Sequence, residues 1–579
     1  MLIASSRMLR SPPSRRTLIA IALAAAAVAI LASVALFAGQ PPEQLRAQSF
    51  VSAWERGDYR AMHAELSERQ RRSKPVGEFI AAYRTAAAIA TATSLRAGKV
   101  GKAGDGIVSI PMTVLTRAFG LVRGTLRLPF SDGEDPHVKW SANLVFPGMA
   151  RGEHLERDMQ LPRRADILAR DGTLLAHGED RSSPLGAIAS AIVGELGAPP
   201  PERAERLHEL GFPDDARVGL SGLERVFDER LAGKPGGELR AGSRVLARST
   251  SLPANPVRSS IQPDVQRAAV EAKGDYVGGV AVVRPLTGEI LGLSGIAFSG
   301  LQPPGSTFKI ITLTGALDAG IAGPKSTYPV ETKTTIEGVE LENANGESCG
   351  GTLRHSFAHS CNSVFAPLGA KLGAERLVKT AEAFGFNQDL DIPGAATSTI
   401  PPAAEIGDDL AVGSTAIGQG RVQATALQMA WVAATIAGHG RRAKPTLQLL
   451  QGEDVPRRRQ VIDRDVALLV GRYMEAVVDD GTGTAAAIPG VRVAGKTGTA
   501  ELRSTSTPDC LPAPEGPECP PAVADDPTDT DAWFAAFAPA EQPRVAVGVL
   551  LVAAGLGGDT AAPVAKQVLA TALEATRRN

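Results

Sequence analysis

Residues Pro303–Gly320 read PPGSTFKIITLTGALDAG. Two prolines stop whatever precedes them, Gly305 permits a sharp turn, and an apolar run with helical periodicity follows. Ser306 is therefore expected at a helix N-terminus, with Lys309 three residues on and on the same face. A serine hydroxyl is a poor nucleophile until a base takes its proton, and a lysine desolvated against it can be that base. Backbone N–H groups at a helix start favour negative charge developing nearby. The same four residues would equally make an N-capping serine followed by a surface lysine, so the pair needs company. Lys309 is the only lysine of the chain with serine or threonine three residues before it. Two further motifs follow in order, Ser360-Cys361-Asn362 and Lys496-Thr497-Gly498.

Outward from these motifs, 579 residues allow several domains, each with its own core. Lys plus Arg total 61 against 62 Asp plus Glu, which gives no support to a nucleic-acid partner. Near the start, Arg7, Arg10, Arg15 and Arg16 precede Thr17–Ala38, an uncharged apolar run about the ~20 residues long that a bilayer requires. The arginines place residues 1–16 in the cytoplasm and 17–38 in the membrane, with everything after Gln40 outside it. The run is longer than the ~7–15 residues of a signal-peptide core, and no Ala-x-Ala site follows. The cysteines are Cys349, Cys361, Cys510 and Cys519; outside the cytoplasm an even count points to two disulfides, and local spacing pairs Cys349 with Cys361 and Cys510 with Cys519. Four buried thiols are the plainer reading. No Cys-x-x-Cys spacing supports a metal, and no motif calls for a cofactor.

Residues 41–150 read as a small α+β domain. Pro41–Glu68 and Val76–Ile89 are helical in pattern; GIVSIPMTVLT, FGLVRGTLRLPF and HVKWSANLVFP read as strands. Residues 151–255 hold a hairpin, PRRADILARDGTLLAHG with its turn at Asp171-Gly172, and an amphipathic helix in GLSGLERVFDERLAGKPGG. From 256 to 579, helices alternate with strands of an antiparallel sheet, an α/β sandwich. Leu353–Leu372 is mostly helical and VRVAGKTGTAE alternates like a strand. Gly481-Thr482-Gly483 mimics a dinucleotide fingerprint but follows a helical stretch, so it is set aside. Ser141-Ala142-Asn143 matches Ser-x-Asn by chance.

With the trio and its surroundings in hand, the chain resembles the class B penicillin-binding proteins, single-pass D,D-transpeptidases that cross-link peptidoglycan. RADILARDGTLLA and GLERVFDERLAGKPG are similar to that family's dimerisation or pedestal module. GGVAVVRPLTGEILGLSG, AIGQG and VAGKTGTAE are similar to stretches of its catalytic domain. Residues 41–150 resemble the cone-shaped, nuclear-transport-factor-like domain of the methicillin-resistance type.

The resemblance implies Ser306 as the acylated nucleophile, Lys309 as its base and Ser360 as a proton relay between Lys309, Lys496 and the leaving amine. It implies that the Asn362 amide holds the donor peptide and that Lys496, Thr497, Gly498 and Thr499 bind its carboxylate. Backbone N–H groups of Ser306 and Thr499 would form the oxyanion hole. Lys496, on a strand edge, is expected to stay charged. The implied partners are peptidoglycan stem peptides, β-lactams, the cell membrane and other cell-wall synthesis proteins. The alternatives are a D,D-carboxypeptidase, a class D-like β-lactamase, which the asparagine at 362 argues against, and a non-catalytic β-lactam-binding protein. Two departures border the cleft: the segment from Gly295 to Ser306 is short, and the loop after Glu501 is long, acidic and cysteine-bearing.

Overall fold

The computed structural model describes residues 40–450, 457–501 and 530–577. The expected membrane anchor at 17–38 and the pair Cys510 and Cys519 lie outside the described residues. Among the described residues, no helix is long and apolar enough to cross a membrane.

The chain divides into two compact units, and the segment 151–255 is shared between them. One unit comprises residues up to Pro162 together with 199–216 and 234–252; the other comprises 163–198, 217–233 and everything from Pro253.

In the first unit, the helices Pro42–Glu55 and Val76–Ile89 bury Phe50, Trp54, Phe79 and Tyr83 against a sheet. That sheet pairs Ala92–Ala97 with Ile107–Thr116 and the latter with Gly120–Pro129, all antiparallel. Along Ile107–Thr116, Val108, Ile110, Met112 and Val114 point into the core and their neighbours outward, the period-two pattern of a sheet with one wet face. HVKWSANLVFP does not become the expected third long strand. It holds isolated bridges from Val138 to Leu66 and Phe130 and a 3₁₀ turn, Ala142–Val145, while Trp140 packs on the helix layer. The indole Nε1 of Trp140 donates to the Tyr83 hydroxyl at 3.3 Å and its ring tilts over Phe79. A second sheet, Leu155–Gln160 with Gly236–Ala241 and Arg244–Ser249, completes this unit.

The second unit is built on a five-stranded antiparallel sheet: β1 (Gly278–Val283), β2 (Ile290–Gly295), β3 (Ala494–Glu501), β4 (Thr530–Ala538) and β5 (Val545–Leu551), in the order β2-β1-β5-β4-β3. Its helices include α1 (Pro263–Lys273), α2 (Lys309–Asp318), α3 (Leu353–Ala358), α4 (Asn362–Leu372), α5 (Ala426–Ala437), α6 (Arg464–Asp479) and α7 (Ala562–Ala575). Both faces of the sheet are covered, so its strands are apolar throughout rather than alternating. Trp533, Ala535 and Phe537 of β4 pack on the α5 side; Phe534, Ala536 and Ala538 pack on the α1 and α7 side.

Two expected helices are interrupted. Gly219–Gly237 forms two short helices, Gly222–Val226 and Asp228–Ala232, hinged at Phe227. Here the fold buries Glu224 and Asp228, both of which meet Arg164, with Arg181 also on Glu224. Leu353–Leu372 breaks into α3 and α4 at Ser360, whose φ of 58° lies in the left-handed region. The Asp171-Gly172 hairpin is as expected, joining Ile167–Leu168 to Leu174–Ala176.

Candidate active site

Ser306 lies in a 3₁₀ turn, Gly305–Phe308, that runs into α2. This refines the expectation of an α-helix N-terminus: the α-helix begins one turn later, at Lys309. The turn is wedged between strand and loop. Gly305 has φ +51°, and a Cβ there would meet the Thr499 carbonyl oxygen at 2.5 Å. Its N–H donates to the Gly418 carbonyl at 3.0 Å, which is what the AIGQG stretch contributes to the site. On β3, a Cβ at Gly498 would come within 2.8 Å of the Pro304 carbonyl. These glycines allow β3 and the nucleophile turn to touch backbone to backbone.

Lys309 is the hub. Its side chain is fully buried. Nζ lies 3.0 Å from Ser306 Oγ, 2.6 Å from the Ser360 carbonyl oxygen, 3.2 Å from Ser360 Oγ and 2.6 Å from Asn362 Oδ1. Among the described residues, no carboxylate is one of its partners. Burial, and then the Lys496 charge, hold its pKa well below the usual lysine value. A neutral amine has two N–H groups and a lone pair. The two shortest contacts use the N–H groups on Ser360 O and Asn362 Oδ1, which leaves the lone pair for the Ser306 O–H. The left-handed backbone at Ser360 lets one residue offer both its carbonyl and its hydroxyl to Lys309, at a cost of roughly 1–2 kcal/mol for a residue with a Cβ.

Asn362 opens α4, and its Nδ2 donates to the Glu342 carbonyl at 2.8 Å. One of its two N–H bonds is left for another acceptor. Cys361 sits between the two motif residues, fully buried and bonded to Cys349 with Cα atoms 5.4 Å apart, so its side chain points away from the one Lys309 meets. The phenyl ring of Phe365 stands 5.9 Å from Lys309 Nζ.

Lys496 is also fully buried, which works against the expectation that it stays charged. β3 is the sheet's edge strand, yet the Lys496 side chain turns inward, with Nζ donating to the Thr497 carbonyl at 3.1 Å and 5.6 Å from the Phe357 ring. Burial brings its pKa down to about 7, so in the free cleft it is half-charged near neutrality. Thr497 is buried and Thr499 half-buried; Thr499 Oγ1 accepts from the Gly557 N–H at 3.4 Å.

Two residues of this constellation had no reading as site residues. Thr482 belongs to the Gly-Thr-Gly set aside above; its Oγ1 is 2.5 Å from Thr497 Oγ1 and its N–H donates to the Ala358 carbonyl at 3.1 Å. It thus ties β3 to the end of α3. The signal was there, a threonine between two glycines ahead of Lys-Thr-Gly, but its position after α6 disguised it. Asn343 is buried beside Asn362. Its Oδ1 accepts from the Ser363 N–H at 2.8 Å, and its Nδ2 donates to the Glu331 and Glu347 carbonyls at 2.8 and 2.9 Å.

Three family models match successive stretches of the chain. A family model described as the penicillin binding protein transpeptidase domain matches residues 278–570. The penicillin-binding protein dimerisation domain matches 170–244, and the NTF2-like N-terminal transpeptidase domain matches 42–153. The chain is 33% identical over 417 residues to the peptidoglycan D,D-transpeptidase PbpA of Mycolicibacterium smegmatis, spanning 60% of this chain and 76% of that one. Among solved structures, the D,D-transpeptidase domain of a peptidoglycan glycosyltransferase from Eggerthella lenta aligns with a TM-score of 0.57 and 27% identity, over 72% of this chain and 99% of that one. Penicillin-binding protein A of M. tuberculosis, as a ceftriaxone acyl-enzyme complex, aligns with a TM-score of 0.53 and 28% identity, over 71% and 98%. A buried lysine against a serine, reached by Ser-x-Asn and flanked by Lys-Thr-Gly, sits within the matched region, and the chain belongs to the penicillin-binding protein transpeptidase family.

Proposed function

We propose that this chain is a peptidoglycan D,D-transpeptidase, a serine acyltransferase that penicillin-like drugs acylate. The observation that carries the proposal is Lys309: a fully buried amine, 3.0 Å from Ser306 Oγ, with its charge disfavoured and no acid among the described residues paired with it. In this reading Lys309 takes the Ser306 proton as Oγ attacks the D-Ala-D-Ala carbonyl, and D-Ala leaves with a proton relayed through Ser360. The Asn362 amide holds the donor peptide. Lys496, Thr497, Gly498 and Thr499 receive the terminal carboxylate, with Thr482 bridging to Thr497. The N–H groups of Ser306 and Thr499 hold the oxyanion. An amine of a neighbouring stem then attacks the acyl-enzyme. The related M. tuberculosis protein, captured as a ceftriaxone acyl-enzyme, supports the covalent route.

The proposed layout is a cytoplasmic tail at 1–16, a membrane anchor at 17–38, a nuclear-transport-factor-like domain at 41–150, a pedestal at 151–255 and the transpeptidase domain at 256–579, outside the cytoplasm. The test is a β-lactam adduct mapped by peptide mass spectrometry. The adduct is expected on Ser306 and absent from Ser306→Ala; labelling elsewhere, or undiminished labelling of the variant, would remove the nucleophile assignment.

A further inference from the structure

Away from the cleft, one surface of the catalytic unit holds charge that the fold leaves unneutralised. Arg441–Arg442 and Arg459–Gln460 form a two-stranded antiparallel ribbon in which Arg442 stands directly opposite Arg459. Like charges facing each other across a ladder destabilise it. Arg457 and Arg458 lead into the ribbon, and Arg464 opens α6 just beyond it. After burial, the charges of Arg464, Arg458 and Arg441 push the nearby His439 imidazole below its usual pKa; burial and then Arg459 do the same to Arg442.

The guanidinium groups have no acid to answer them. Arg441 donates to Gln460 Oε1 at 3.0 Å and Arg442 to Gln388 Oε1 at 2.6 Å, both neutral partners. None of the six arginines is in an ion pair among the described residues, whereas Arg164, Arg170 and Arg244 in other parts of the chain all are. The neighbouring acids are occupied or few. Asp463 caps α6 by accepting from the Asp465 and Val466 N–H groups, Asp391 pairs with Lys444, and Asp465 is exposed. In sequence, Glu453 and Asp454 stand in the stretch 451–456, outside the described residues. Arg441, Arg457, Arg459 and Arg464 are exposed, and Arg442 and Arg458 half-buried.

We propose that this arginine ribbon is a docking surface for a linear polyanion bearing repeated phosphate groups. Guanidinium forks match phosphate oxygens two at a time, which lysines do not. The charges are spread over an open ribbon, so they suit a partner whose charges repeat along a chain, not a lone ion. A bilayer surface fits less well, because none of the exposed large apolar side chains of the described residues lies between 439 and 464 to enter an interface.

The test uses the full chain with long-chain inorganic polyphosphate as probe, over a series of salt concentrations. Saturable binding is expected, with orthophosphate competing poorly. Replacing Arg441, Arg459 and Arg464 together by Gln should weaken binding about tenfold or more and flatten the slope of log affinity against log salt by roughly one per phosphate-contacting arginine. The Lys triple variant, which keeps the charge and loses the fork, should keep the salt slope while binding more weakly than the wild type. β-Lactam acylation, measured in parallel, should be unchanged in both and reports that the variants are folded. Equal affinity and salt slope in the wild type and the Gln variant would overturn the proposal. So would equal competition by orthophosphate, or binding to vesicles containing anionic phospholipid with none to polyphosphate.

Discussion

At the scale of single residues, the two lysines of the cleft differ in what their burial does. Lys309 needs to be neutral to accept a proton, and everything around it favours that state: full burial, Lys496 nearby, and acceptors that use up its N–H groups. Lys309→Ala should lower β-lactam acylation by about 10²–10⁴. Lys309→Arg should be nearly as inactive, because a guanidinium does not release its proton. Second-order acylation rates with a chromogenic β-lactam measure both, and a near wild-type rate for Lys309→Arg would reject the base assignment. Lys496, with a pKa of about 7, is charged below that pH and neutral above it. Its attraction for an anionic β-lactam should therefore weaken as pH rises through about 7, while protonation of Lys309 removes activity on the acid side. Lys496→Arg stays charged and should lose the alkaline limb of the pH profile; an alkaline limb that persists unchanged would show that another group sets it. That Lys309 meets Ser306 was legible in its motif. The burial of Lys496 was not, because a strand pattern tells which residues share a face and not which face the fold covers.

At the scale of elements, the Ser-x-Asn motif works only because other elements brace it. The hairpin pairing Lys333–Ile336 with Val339–Glu342 ends at Asn362, where the Glu342 carbonyl accepts from the side-chain amide. Asn343 then pins that hairpin to the first turn of α4, and the Cys349–Cys361 disulfide pins the other side. Asn343→Ala would leave the Ser363 N–H and the Glu331 and Glu347 carbonyls short of a buried partner, costing roughly 1–3 kcal/mol of local stability. Because small displacements of positioning groups are amplified in rate, acylation should fall about tenfold or more while the thermal transition of the whole unit remains cooperative. Acylation kinetics and a calorimetric melt on the same sample check this, and an unchanged acylation rate would show that the brace is dispensable. Asn343 had no signal in the sequence. It lies nineteen residues before Asn362, on a hairpin with no motif, and its importance exists only once the chain has folded back. Thr482 was visible and misplaced for the same reason, since its partner Thr497 lies across a strand it does not belong to.

At the scale of the whole molecule, the compact units do not follow the chain in simple blocks. Residues 199–216 and 234–252 belong with the N-terminal unit, interleaved in sequence with pieces of the catalytic one. Within the N-terminal unit a shared core joins Val114, Phe119, Val122 and Phe146 to Leu155, Met159 and Leu239. A chain starting at residue 151 would lack the first four and expose the last three, each side chain forfeiting up to roughly 1.5–3 kcal/mol of burial. The fragment 151–579 should therefore give a smaller soluble yield and more aggregate on size-exclusion chromatography than 41–579, under one expression protocol. Equal monodispersity of the two would mean that the 151–255 stretch folds without that core. Such interleaving is invisible to a reading that takes residues in order, because it is decided by which distant segments share apolar surface.

The backbone-to-backbone crossing of Gly305 and Gly498 has an evolutionary side. At both positions a Cβ would meet a backbone carbonyl of the opposing segment closer than contact allows, so every substitution there has to shift backbone at the site. Selection by an antibiotic can therefore act only on the margins of the site, and escape variants of this enzyme should accumulate in the cleft's surrounding loops while the crossing stays invariant through every successful lineage.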